Sequence, residues 1–279
     1  MTPTSSLCPA ALAASGSTGR ADLLKALENR QFSVLLQPQY LLPGLSVCGF
    51  EAIARLHVTP DQWLAPEQFL PSAHAAGLTD GMALHVIESA CITLQSWRGS
   101  GRQGMFIAVN IEMGDLADVL FAPRVCRLLV QHRIQPGELE IELSEAHMPG
   151  SCDIADTSIH LLRQAGVRLA MDNFGTGHST LSRLAELPFD VVKIDKAFVS
   201  RIPDASRACT LMTSVINLCL ALRKDVVVSG VETDAQLRWL ARLRWHRVRV
   251  QGNGLSHPIT EPLAREQIPL TSRSHHPQY

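Results

Sequence analysis

Polar side chains stand in or just after eight short apolar runs of this sequence, and together they could hold and polarise a phosphate group. Phe32–Leu36 ends on Gln37, Val47–Phe50 on Glu51, Phe106–Val109 on Asn110 and Leu139–Ile141 on Glu142. Val167–Met171 ends on Asp172, Val191–Ile194 carries Lys193, Val226–Val228 runs to Ser229 and Glu232, and Val248–Val250 ends on Gln251. A single polar residue after an apolar run is ordinarily a cap or a turn. A series this rich in carboxylates and amides is hard to assign to capping. Three carboxylates brought to one face repel one another without a cation. Oxygen-only ligands favour a hard ion, Mg²⁺, Mn²⁺ or Ca²⁺, over structural zinc.

The elements that must position these groups alternate between two kinds. Each apolar run has strand length, and amphipathic segments lie between most of them. Val86, Ile87, Ala90, Cys91, Leu94 and Trp97 follow helical spacing, as do Leu211, Met212, Val215, Ile216, Cys219 and Leu222. From Val167 to Asp195 the chain reads as strand, glycine-rich turn, short helix over Ser179–Leu187 stopped by Pro188, and strand. Such a unit makes parallel strands whose C-terminal ends open on one side, so Asp172 and Lys193 face one pocket. The first two strands are joined only through Pro43 and Gly44 and predict an antiparallel hairpin. Eight strands with intervening helices predict a (β/α)8 TIM-like barrel with one antiparallel strand, its site at the strand C-termini.

Length and composition agree with one large domain. The chain has 279 residues, 46% of them hydrophobic, with a formal net charge of −1. No basic stripe stands out, so no DNA partner is expected. The 7 cysteines form no CxxC pair and read as reduced thiols of a cytoplasmic protein. No signal peptide is expected, and the longest mostly apolar run, Leu211–Leu222, is too short to span a bilayer. No membrane partner is expected. Residues 1–19, rich in Ser, Thr, Ala and Gly, are expected to be disordered. A helix over Ala21–Asn29 opens the domain, which extends over 20–262 and leaves 263–279 as a tail.

In order along the chain, these motifs resemble the EAL-domain family of cyclic di-GMP phosphodiesterases and receptors. LQPQ at 36–39 is similar to the family's opening Gln-Pro, and EAIAR at 51–55 to its signature Glu-Ala-Leu-x-Arg. VNIE at 109–112, ELSE at 142–145, DNFGTGHS at 172–179, VKID at 192–195, SGVET at 229–233 and QGNGLSHP at 251–258 follow in the family's order. The resemblance implies that Glu51, Asn110, Glu142 and Asp172 hold a first metal, Mg²⁺ or Mn²⁺. It implies that Lys193 orients the attacking water and that Glu232 and Gln251 complete the metal–water network. Gln37, Arg55, Gln251 and Pro258 would line the dinucleotide pocket, Arg55 forking onto a phosphate. Glu145 would anchor the loop after Asp172. The lesser alternatives are a surface ion pair for Arg55 and a barrel-lining salt bridge to Asp195 for Lys193.

Two departures bear on the chemistry. Asn173 stands where the family has the second Asp of an Asp-Asp pair, and Ser229 where it has the first Glu of Glu-Gly-Val-Glu. Losing two carboxylates leaves the first metal site intact and the second doubtful. His178 and Asn253 also depart from the pattern, and two extra residues lie between Glu232 and Gln251. The expected function is a degenerate EAL domain that binds cyclic di-GMP as a receptor or protein-binding regulator, with a possible protein partner or homodimer. The alternative is a slow metal-dependent phosphodiesterase giving the linear dinucleotide.

Overall fold

The computed structural model describes residues 20–270 except 30, 43, 60–61, 145–152, 176–183 and 185–186. The expectations for residues 1–19, Glu145, His178 and most of the helix at 179–187 fall outside the described residues. Two strands open the barrel, β1 (Phe32–Leu42) and β2 (Ser46–Thr59), paired antiparallel as the short link implies. Gly44 turns the link with φ 106°, a backbone angle that glycine adopts without strain. Both strands outrun their apolar stretches. β1 continues through Pro38, which is tolerated because β9 pairs with this strand only from Tyr40 onward. β2 continues through Glu51 to Thr59 on alternating rather than continuous burial. Gln37 and Glu51 therefore lie within strands, paired opposite each other, rather than at strand ends. The far end of β2 also pairs with β3 (Gln62–Leu64), an edge strand too short to leave a sequence signal.

Six parallel strands follow: β4 (Phe106–Ile111), β5 (Leu139–Ser144), β6 (Arg168–Phe174), β7 (Val191–Ile194), β8 (Asp225–Val228) and β9 (Val248–Val250). The ring runs β1-β9-β8-β7-β6-β5-β4-β2 and closes through β1–β2, with β1 antiparallel to both neighbours. This is the closed eight-stranded barrel with one reversed strand.

Helices cover its outside. They are α1 (Arg20–Glu28), α2 (Pro66–Ala76), α3 (Thr79–Gly99), α4 (Met113–Leu116), α5 (Phe121–Gln131) and α6 (Asp153–Gln164). Then come α7 (Lys196–Val199), α8 (Ser206–Ala221), α9 (Asp234–Arg242) and α10 (Glu261–Glu266). All six residues read as the apolar face of α3 are buried, and Trp97 packs against Phe50 of β2 with ring centroids 5.1 Å apart. The face of α8 is narrower than its spacing implied, because Leu211 at its start is 52% exposed. Helix α10 crosses the boundary expected at residue 262, and Ala264 and Ile268 are buried against the core.

Apolar burial lies mainly between sheet and helices, and the barrel interior is largely polar. Inward positions recur every second residue. Glu140 and Glu142 of β5, Arg249 and Gln251 of β9, and Gln39 and Gln37 of β1 thereby form a lower and an upper layer. In the lower layer Arg249 donates to Gln39 Oε1 at 2.9 Å and to both Glu140 oxygens at 2.9 and 3.0 Å. Ala170, Val191 and Val227 form a small apolar cluster separate from the main core.

Candidate functional site

The upper layer is organised on one ammonium group. Lys193 Nζ donates to Glu142 Oε2 at 2.6 Å and to Glu51 Oε2 at 2.8 Å, and lies 3.7 Å from Asp172 Oδ1. Strand register sets this up: Asn110 lies beside Glu142, Ser144 beside Asp172, and Gln37 opposite Glu51. Asn110 Nδ2 donates to Glu51 Oε1 at 2.7 Å. Gln251 Nε2 donates to Glu51 Oε2 at 2.6 Å and to Gln37 Oε1 at 2.9 Å. Asp195 is not a partner of Lys193. It caps α7 by accepting the Ala197 N–H at 2.8 Å, so the reading of an isolated Lys193–Asp195 pair is overturned.

Charge is divided unevenly over the cluster. Burial alone would raise the Glu51 carboxyl, but Lys193, Gln251 and Asn110 outweigh it and hold the group below its ordinary range. Burial and the Glu51 charge push Glu142 well above that range against the pull of Lys193. Asp172 is raised by burial, with Lys193 opposing. Burial would lower the Lys193 ammonium, yet the carboxylates around it hold it well above its ordinary value. The cluster is thus a cation locked among competing anions.

Two cavities meet over it. One, of about 370 Å³, is lined by Lys193, Asp172, Ser229, Glu232, Gln251 and Asn253, among others. The other, of about 520 Å³, runs from Glu51 and Asn110 towards Phe69, Met82 and Asp115 of the surrounding helices. Gln37, Glu51 and Asn173 line both. Glu232 is exposed at the rim of the smaller cavity. Arg55 lines neither cavity. Its guanidinium stacks on Trp63, 4.6 Å from the ring centroid, and donates to the Ala54 carbonyl at 2.9 Å. Pro258 also lies outside both linings, next to the Leu36–Ile259 bridge. Asn253 accepts from Gln37 Nε2 at 3.2 Å.

The helical wall of the larger cavity was not read from the sequence. Asp115 accepts from Thr79 at 3.0 Å and from the Glu112 N–H at 2.9 Å, and burial raises its carboxyl. These residues follow ordinary helix and capping patterns, which carry no chemical signal.

The two departures have settled local roles. Asn173 takes φ 58°, in the left-handed region that Asn and Asp tolerate, and its amide donates to Asp172 Oδ2 at 2.8 Å. The Ser229 hydroxyl donates to the Ile194 carbonyl at 2.6 Å.

Two tight backbone approaches hold the rim. A Cβ on Gly252 would lie 2.1 Å from the Val231 carbonyl oxygen, and one on Gly254 2.4 Å from Glu232 backbone atoms. Gly252→Ala should therefore cost roughly 1–3 kcal/mol in urea unfolding. Gly99→Ala, where nothing lies within 4 Å, is the control and should cost little.

The donor chemistry fits a hard divalent ion. Donors are carboxylate and amide oxygens, and Glu142 Oε1 and Gln251 Oε1 are buried without a hydrogen-bond partner among the described residues. Among those residues, however, no three Asp, Glu, His or Cys side chains stand close enough to enclose an ion. The carboxylates are spaced around the ammonium instead.

Comparison with known proteins agrees with this geometry. Residues 20–258 match the EAL domain family. Over 238 residues the chain is 32% identical to the bifunctional diguanylate cyclase/cyclic di-GMP phosphodiesterase MucR of Pseudomonas aeruginosa, covering 85% of this chain and 34% of that protein. It is 31% identical over 216 residues to the cyclic di-GMP phosphodiesterase RocR of the same organism, covering 77% and 55%. The chain thus spans about a third of the length of MucR and about half that of RocR. A solved MucR phosphodiesterase in complex with c-di-GMP superposes with a TM-score of 0.77 at 32% identity, covering 88% of this chain and 98% of that one. With a reversed-strand barrel, a lysine-centred carboxylate cluster at its mouth and a family match across nearly all the described residues, the chain belongs to the EAL-domain family.

Proposed function

We propose that this domain binds cyclic di-GMP over the barrel mouth and acts as a receptor or protein-binding regulator with little hydrolysis. The observation that carries this reading is the use made of the two substituted positions. Ser229 spends its hydroxyl on the Ile194 carbonyl, and Asn173 spends its amide on Asp172. Neither supplies the negative charge that a second divalent ion requires. Glu51, Asn110, Glu142 and Asp172 would hold one ion, Mg²⁺ or Mn²⁺, which when bound would polarise a phosphate oxygen. Lys193 would keep the Glu51 and Glu142 carboxylates in place. Gln37 and Gln251 would orient the dinucleotide, and Glu232 would face it from the rim. The alternative reading, slow hydrolysis to the linear dinucleotide, is favoured by the retention of Lys193, Glu232 and Gln251.

The deciding experiment measures binding and turnover in one sample with cyclic di-GMP and Mg²⁺ or Mn²⁺. Tight binding with negligible turnover supports the receptor, and robust hydrolysis overturns it. Arg55 would have to leave Trp63 to reach a phosphate; if it does so on binding, Arg55→Ala weakens affinity by about 1.5–3 kcal/mol, roughly ten- to a hundredfold. Calorimetry showing unchanged affinity would remove Arg55 from the site and leave it the partner of Trp63 alone.

A further inference from the structure

We propose that the barrel floor, opposite the mouth, is a docking face for an anionic phospholipid surface. Helices α5, α8 and α9 each end in a turn that enters the N-terminal end of a parallel strand. At the left-handed position of these turns stand Arg133 (φ 53°), Arg223 (φ 60°) and Arg244 (φ 46°), with Arg247 (φ 65°) close behind. In the turns after α3 and α6, which lead into β4 and β6, that position is Gly101 (φ 80°) and Gly166 (φ 88°). A cation is favoured at a helix C-terminus, but that gain is smaller than the strain of a left-handed residue bearing a Cβ. Local stability therefore does not explain the choice of arginine three times on one face.

The floor also has cations to spare. Its carboxylates are already engaged: Glu138 by Arg98 at 2.7 Å, Asp190 by Arg163 at 3.3 Å, Glu140 by Arg249, and Asp225 by both Arg168 and Arg247. Arg133, Arg223 and Arg244 are exposed, outside the ion pairs formed among the described residues. On the same barrel end opens a cavity of about 520 Å³ whose lining includes Arg168, Arg247 and Arg249, the carboxylates Glu138 and Asp225, and the apolar Phe106. Its three arginines face two carboxylates, Asp225 and Glu140, while Glu138 is taken by Arg98, which leaves one positive charge for a phosphate headgroup.

Apolar tips accompany the charge. Leu45 on the β1–β2 link and Leu243 in the α9–β9 turn are each 39% exposed. Trp245 is half-buried in that turn, its ring edge-on to Trp239. Arginines interleaved with leucines and an indole at one level of a barrel end suit a lipid interface. A packed tryptophan pair makes a poor stacking platform for nucleic acid. The near-neutral total charge hid this face, because it averages an acidic mouth with a basic floor.

The test is co-sedimentation of the whole chain with phosphatidylcholine vesicles, with and without phosphatidylglycerol. Binding is expected only with phosphatidylglycerol, and salt should release it. The triple variant Arg133→Asn, Arg223→Asn, Arg244→Asn should lose partitioning by on the order of a hundredfold. Its thermal midpoint should hold or rise, since Asn accepts the left-handed conformation, and cyclic di-GMP binding should be unchanged. Absence of binding to anionic vesicles, equal binding to neutral ones, or unaltered partitioning of the triple variant would each overturn the proposal. So would preferential binding of a single-stranded oligonucleotide or of free glycerol phosphate.

Discussion

Replacing Lys193 with methionine is expected to remove about 3–5 kcal/mol of folding stability, although the two side chains are similar in length. The ammonium is the common partner of Glu51 and Glu142, whose side chains are 12% and 0% exposed, and lies near Asp172. Without it, buried carboxylates face one another unpaired, and they must take up protons or admit water. Urea unfolding at neutral pH reads the loss. Mg²⁺ or Ca²⁺ should restore part of it in the variant and do less for the parent, since a divalent ion can take over the positive charge. Combining Lys193→Met with Glu142→Gln should cost less than the sum of the two single changes, because each removes part of one network. A loss under about 1 kcal/mol would mean that the carboxylates do not depend on the lysine.

The double variant Asn173→Asp, Ser229→Glu is expected to raise cyclic di-GMP hydrolysis by on the order of a hundredfold or more, a gain that one additional metal-held charge can supply. Either change alone should recover little, because groups that act as a unit are non-additive. Asp tolerates the left-handed backbone of position 173, so the first change costs little conformational strain. It does set a second carboxylate beside Asp172 in place of an amide donor. Asn173→Asp alone should therefore lower stability in chelator and regain it with Mg²⁺, a readout independent of turnover. A double variant that binds two ions yet stays inert would place the defect in the remaining departures, among them Asn253 on Gln37.

The barrel and most of its mouth were legible because each strand's apolar run stops at a residue with chemical character. Asp172 and Lys193 are the clearest case: a βαβ reading placed them together, and the structure separates them by 3.7 Å. Gln37 and Glu51 were found at the right positions for an incomplete reason. They sit inside long strands whose continuation depends on alternation, which an apolar-run reading truncates. The partners of Lys193 were hidden because Glu51 and Glu142 lie 142 and 51 residues away in sequence. The helical wall around Asp115 was concealed because capping patterns such as Glu112 to Asp115 carry no chemical signal. The arginine turns escaped notice because a left-handed angle at Arg leaves no trace in sequence, whereas Gly at Gly166 announces it.

The reversed first strand has a consequence for how the molecule is made. Gln39 meets Arg249 across 210 residues, and Gln251 meets Gln37 and Glu51 across 214 and 200. Hairpin β1–β2 is local and can form at once, but its partner β9 is the last strand of the ring to be synthesised. Until β9 docks, β1 and β8 present open edges, Glu140 lacks the hydrogen bonds of Arg249 and Glu51 lacks that of Gln251. Barrel closure and assembly of the site are therefore one late event, with the loop-entropy cost of distant ends. Refolding should gain helix signal before ligand-binding competence, and chains cut before Val248 should be both unclosed and prone to pair edge to edge.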